Sequence, residues 1–565
     1  MRFNLRWQIL LAALAFSLTA ALLSFQVRSA SLCATRVPAA GGVFVEGAVG
    51  LPQTLNPLLS DPYPLDRQLV SLIFDGLTQV DASGQIAPAL AENWSVSEDG
   101  RTLRFVLRDD VAWHDGEPVT AADVAFTYGL MQGENFPGPA ALKNLWQSVT
   151  INQIDDQTIE FVLTEPYAPF LSETTRGILP AHLLEGVTAA SLAEHPFNQS
   201  PVGTGPWMVN ANQDWRQNGR LQLLPNPLYW REGTQIPILE FQFFPDEAAL
   251  AEAFADGRIH AMNTVSPEML PDVAAIPGVR LFTAESPRYT ELLFNQGEDG
   301  APLLKTTEGR QALAYALDRN AVVDRVLNGQ GLPLEGPYLP TSWAYNPAAL
   351  TRYQYDPTAA QLALSAAGWE KVEGVPVRRN EAGDPLQIRL LTLAGAPHEP
   401  LAEEIAWQWA DIGIDAVVET AVNGAALREA LAEGDFDVAL VDIAPPVDPD
   451  LYDFWSQEAI VRGQNYGRWN NRNASEALEN GRQIWPVAER RPYYDTFLRL
   501  FNSDLPALTL YQHAATYALS PTVEQAEIGK ITQPRDQYKT FAQWFLLYRD
   551  GSIVGPAEEV TPVSE

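Results

Sequence analysis

The chain runs to 565 residues, 46% hydrophobic and 19% charged, which excludes wholesale disorder and leaves room for three to five structural units at roughly 100–200 residues each. Acidic residues outnumber basic ones 70 to 37, a formal charge of -33, and so acidic a surface repels phosphate backbones and argues against a nucleic-acid partner. The single cysteine, Cys33, rules out an intrachain disulfide and a thiolate metal centre, and no two of the 6 histidines stand at helical metal-pair spacing, so no metal site is read.

Residues 7–25 (WQILLAALAFSLTAALLSF) are uncharged and follow Arg2 and Arg6, the pattern of a secretory signal. At about 1.5 Å per residue the stretch is also barely long enough to span a bilayer, with the arginines keeping its start cytoplasmic and the bulk of the chain exported. Cys33 closes a Ser-Leu-Cys sequence that resembles a lipidation box, except that Leu32 stands where a small residue is wanted. Cleaved signal, uncleaved anchor and lipidated Cys33 all stay open, and an unused linker thiol is the plainest role for Cys33. Residues 35–42 read as that linker.

Residues 102–108 (TLRFVLR) and 158–163 (TIEFVL) alternate apolar with polar and predict half-buried strands. Between them Thr120 is placed to cap a helix, with Asp123 completing the box. His114-Asp115-Gly116 predicts a turn with a solvated histidine. Residues 203–206 (GTGP) predict a tight turn before a strand, since a phosphate loop's lysine and spacing are missing. Apolar spacing predicts one helix over 309–327, stopped by Asn328-Gly329, with Asp318 and Arg319 near its end as an ion pair or a C-terminal cap. A second helix over 401–412 runs into a short strand, 414–419. Residues 436–443 (FDVALVDI) are apolar enough for a strand buried on both faces. The aspartates from Asp435 to Asp453 read as solvated turn residues, their spacing fitting no calcium loop. Residues 551–565 predict a disordered tail.

A series of segments stands in a fixed order: 54–57 (TLNP), 73–77 (IFDGL), 88–94 (PALAENW), 97–100 (SEDG), 113–124 (WHDGEPVTAADV), 202–207 (VGTGPW), 293–295 (LFN), 310–319 (RQALAYALDR), 366–369 (AAGW) and 465–466 (NY). Together they resemble the extracytoplasmic solute-binding proteins of ATP-driven (ABC) importers for peptides and nickel. The resemblance implies an α/β, two-lobed periplasmic-binding-protein-like fold (type II, cluster C). Lobe I would take 42–286 and 508–550, with an extra subdomain over 88–200 packed away from the hinge, and lobe II 287–507. The first 41 residues would be signal or anchor plus linker. It also implies a peptide or other small solute closed between the lobes, a membrane permease as partner, no cofactor, no catalysis, and a monomer at the outer face of the membrane.

Peptide-binding members of that family hold the ligand's α-ammonium with an aspartate three residues before an Asp-Pro pair. Here the count back from Asp448-Pro449 lands on Pro445, and burying an ammonium without its counter-ion costs several kcal/mol in order of magnitude. Asp442, three residues earlier, is the candidate substitute, with strand capping as its alternative role. Pro445-Pro446 also removes two backbone donors from the loop. Oligosaccharides, opines and metal chelates are therefore alternative ligands, and an anchored sensor an alternative role. Position within the resemblance nominates Gln53 and Thr54 after the first strand, Asn295 at the first crossing, and Val441, Asp442 and Ile443 at the end of the buried strand. Trp455 and Trp469 are nominated as aromatic walls and Tyr511 on the return crossing, ordinary packing being the alternative for each. An exported hydrolase lacks a Gly-x-Ser-x-Gly elbow and a His-Glu-x-x-His pair.

Overall fold

The computed structural model describes residues 42–546 apart from 82–83, 232–235, 529–533 and 539. The signal, anchor, Cys33 and tail readings lie outside the described residues. Among those described, no helix is long and apolar enough to cross a membrane.

The alternating segments form strands Thr102–Leu107 and Thr158–Val162, paired antiparallel in a four-stranded sheet with Ala91–Val96 and Thr150–Gln153 at its edges. Their apolar residues Leu103, Phe105, Ile159 and Phe161 are fully buried. Helix Ala121–Gln132 begins at the Thr120–Asp123 capping box, and its Tyr128 stacks on Trp146 at 4.0 Å. These elements fall within residues 88–200.

An 11-stranded mixed sheet forms the rest of the frame. Two long antiparallel strands, Arg280–Phe294 and Ala507–Leu519, lie side by side at its middle. Strands Val438–Ile443, Gln387–Leu393 and Asp415–Ala421 extend it one way; Ala261–Val265, Val43–Val49 and Ile238–Phe244 begin the other half. Side-chain alternation divides the strand end, Leu292 and Phe294 entering one hydrophobic cluster and Leu293 another on the opposite face. The ladder between the two long strands is interrupted between Glu285 and Tyr289. Pro287 has no N–H to donate there, a placement proline tolerates only at such breaks.

Two local expectations are corrected. The helix expected over 309–327 is two, Thr307–Tyr315 and Arg319–Val326. The Asp318 carboxylate accepts from Ala321 N at 3.1 Å and starts the second, so it is an N-cap, while Arg319 pairs with Glu335 at 2.6 Å. His114 is not a solvated turn residue. Its Nδ1 accepts from Gly203 N at 3.0 Å and its Nε2 lies 3.1 Å from Gly205 O, clamping the glycine loop, and burial pushes its pKa down to about 4.

Candidate binding cleft

A cavity of about 480 Å³ opens where the central ladder breaks. Arg67 and Gln68, on helix Pro64–Ile73, and Asn263 form one wall; the loops 337–342 and 444–449 form the other; residues 285–288 and Gln512 lie between them. Gln68 is fixed from behind, its amide donating to Glu46 at 3.2 Å and to the Tyr538 hydroxyl at 2.6 Å. Glu46 is fully buried, and burial raises its pKa to about 7 against hydrogen bonds from Tyr517, Tyr538 and Gln68. Across the cavity Tyr338 is 2% exposed, and its hydroxyl has no hydrogen-bond partner among the described residues. The 444–449 loop is held by Asp448, whose two oxygens accept from Arg490 at 2.6 and 2.7 Å. Arg67 and Arg288 bring positive charge to the lining, and Glu285 is the one carboxylate among the described lining residues.

Two more cavities adjoin this one. The next, about 320 Å³, shares Arg67, Val80 and Val447 with it. The last, about 580 Å³, shares Glu173 and Arg176 with the second and lies between residues 139–176 and residues 452–483. Beside it the two sides touch: Trp485 Nε1 donates to Gly100 O at 2.9 Å and Ala168 N to Arg482 O at 2.8 Å. Arg482 also lies over the rings of Tyr167 and Tyr452, at 4.9 and 4.3 Å.

None of the nominated residues lines the three cavities. Gln53 and Thr54 donate their backbone N–H groups to Asp66, and the Gln53 side chain turns back to Leu51 O. Arg67 and Gln68, which follow Asp66 on the same helix, line the cavity. Asn295 is fully buried and spends its amide on the carbonyls of Gly434 and Phe436. Trp455 and Trp469 form no wall: both are 3% exposed, packed edge-on with Phe501, and Trp469 Nε1 donates to Asp504 at 3.0 Å. Val441 and Ile443 spend their backbones in the ladder with Glu291 and Tyr289. Tyr511 points into the core with its ring against His513, because alternation gives the cavity to Gln512 instead.

Asp442 is engaged rather than waiting for an ammonium. Thr290 Oγ1 donates to it at 2.6 Å, Arg288 pairs with it at 3.2 Å, and His398 and His513 lie 3.2 and 3.3 Å away. The other aspartates are not all solvated either, Asp448 and Asp450 being paired with Arg490 and Arg482. Among the described residues no group of His, Cys, Asp or Glu is disposed to hold a metal ion. Burial pushes the Asp442 pKa up, but hydrogen bonds from the two histidines outweigh it and hold the carboxyl well below the usual range. A depressed folded value stabilises the protein above the unfolded value of about 3.9 and loses that stabilisation as pH falls toward the folded one. Asp442→Asn is therefore expected to cost about 1.5–3 kcal/mol at pH 7 in urea unfolding, with a narrower gap to the parent at pH 3. A gap that stays constant or widens in acid contradicts this account.

Arg67, Arg288 and Tyr338 escaped the sequence reading. Only Pro287 inside a strand-like run signalled the break that exposes Arg288.

A cleft bridged by two long strands is the setting in which comparison with known proteins becomes decisive. Residues 85–460 match the family of bacterial extracellular solute-binding proteins, family 5 Middle. The chain belongs to that family. The oligopeptide-binding protein AppA of Bacillus subtilis is 25% identical over 516 residues, 90% of this chain and 92% of its own. The dipeptide-binding protein of Escherichia coli is 26% identical over 500 residues, 82% and 87% of the two chains. The nickel-binding periplasmic protein of Escherichia coli is 29% identical over 374 residues, 64% of this chain and 68% of its own. Among solved structures, the Bacillus subtilis AppA complex with a nonapeptide gives a TM-score of 0.69 at 24% identity, covering 91% of this chain and all (100%) of that one. The substrate-binding protein CtaP of Listeria monocytogenes gives 0.76 at 22% identity, covering 90% and 100%. This solute-binding protein thus has the two-lobed α/β fold of its relatives.

Proposed function

We propose that this protein is the extracytoplasmic receptor of an ABC importer for peptides, handing its ligand to a membrane permease. The observation that carries the reading is the cavity at the break in the two crossing strands, walled from both sides. A ligand touching both walls stabilises the closed arrangement over the open one, and that difference is the signal a permease can read. The lobes divide at 42–286 with 508–550, against 287–507, and the subdomain over 88–200 supplies the far wall. The receptor acts as a monomer and does no chemistry. It is held at the outer membrane face by the uncharged 7–25 segment or by a lipid on Cys33.

A thermal-shift screen of the protein against peptide pools of graded length tests this. A peptide at 100-fold over its Kd is expected to add about 2.7 kcal/mol of stability. No shift with any pool, alongside a shift with a sugar or a metal chelate, would transfer the receptor to another ligand class.

A further inference from the structure

The three adjoining cavities and the charge at one end of them say more about the ligand than the family does. We infer that the ligand is an elongated peptide whose carboxylate is held at the hinge end by Arg67 and Arg288, with its chain running out past Val447 toward the subdomain. This rests on the peptide reading above and specifies its length and direction.

Length comes from adjacency. Each cavity alone, at about 480, 320 and 580 Å³, is of a size that a compact solute fills. The three adjoin one another, with Arg67, Val80 and Val447 and then Glu173 and Arg176 shared between their linings, and a compact solute in one leaves the others empty.

Direction comes from chemistry. Arg67 and Arg288 face one cavity, one Nη of Arg288 being bonded to Asp442 at 3.2 Å, and a guanidinium fork matches a carboxylate. Their like charges oppose each other: burial lowers the Arg67 pKa first, and Arg288 lowers it further, against Asp61 and Asp66. An anion between them removes that repulsion. An ammonium finds one carboxylate in this lining, Glu285, against the two guanidinium groups; Pro445 and Pro446 stand where the counter-ion of peptide-binding relatives would be, and Asp448 is taken by Arg490. At the far end the charge reverses, with five carboxylates in the lining of the last cavity against the two guanidinium groups of Arg176 and Arg482. A terminal carboxylate is repelled there and drawn to the hinge.

Calorimetric titration of the full chain with alanine peptides of three, five and seven residues, each as free acid and as C-terminal amide, tests the inference. The seven-residue acid is expected to bind roughly tenfold or more tighter than the three-residue acid, and amidation to weaken it by a similar factor. Arg67→Gln should abolish the acid–amide difference and Arg67→Lys should retain part of it. Equal affinity for acid and amide, tighter binding of the shortest peptide, or an intact acid–amide difference in Arg67→Gln overturns the inference while leaving a peptide receptor standing. No binding by any of the peptides overturns both. The acid–amide comparison on the parent protein needs no variant, so a poorly folding Arg67→Gln does not remove the test.

Discussion

Asp448→Ala is expected to cost about 3–5 kcal/mol of stability and to weaken ligand binding at the same time. Arg490 is 2% exposed, and its guanidinium donates to both oxygens of Asp448, to the Tyr494 hydroxyl at 2.7 Å and to Gly481 O at 3.1 Å. Burial disfavours its charge, and the bonds to Asp448 more than offset that. Alanine removes the acceptor and leaves a charge stranded in the core beside Trp343, 4.9 Å from its ring centroid. The same bond ties down the 444–449 loop that walls the cavity, so its loss also frees part of the binding surface. Adding Arg490→Met to Asp448→Ala should recover much of the stability, because removing both partners leaves no unpaired charge. Urea unfolding checks both steps; a single-variant loss under about 1 kcal/mol would mean that water reaches Arg490.

Gly203→Ala should be comparably damaging, at about 3 kcal/mol or beyond, the upper end of what overpacking costs. A Cβ there would stand 1.9 Å from Ile73 O, a backbone atom that cannot rotate away. Nor can the loop back off. Gly203 N donates to His114, Gly203 O accepts from His114 N at 2.9 Å, and Gly205 N bonds Ile73 O at 2.8 Å. Gly129, inside helix Ala121–Gln132 with open space around it, is the internal control. Gly129→Ala should be neutral or gain up to about 1 kcal/mol. Similar melting temperatures for the two variants would mean that the 203–206 loop moves as a unit.

What could be read from the sequence was local. The strands at 102–108 and 158–163 and the Thr120 cap depend on neighbours a few residues away, and they stand where period and capping chemistry put them. The helix break at Asp318 was hidden because apolar spacing runs through it, while the cap is a side-chain choice that spacing does not register. The nominated Tyr511 is missing from the cavity lining for a related reason. Tyr511 and Gln512 are adjacent in sequence but on opposite faces of a strand, and only the register says which face is wet. Asp442 could be seen at a strand end, but its partners Thr290, His398 and His513 are 152, 44 and 71 positions away, and no spacing rule reaches them. Arg67 and Arg288 line one cavity although 221 positions separate them.

The interruption in the central ladder also bears on what it takes to move. Between Glu285 and Tyr289 the two long strands share no regular ladder pairing; across it Gln512 Nε2 reaches Ser286 O at 2.9 Å. Opening and closing can be absorbed by backbone torsions in a stretch where no regular pairing has to be torn and remade. The empty and occupied shapes can then lie close in free energy, and a modest number of contacts to a solute is enough to decide between them.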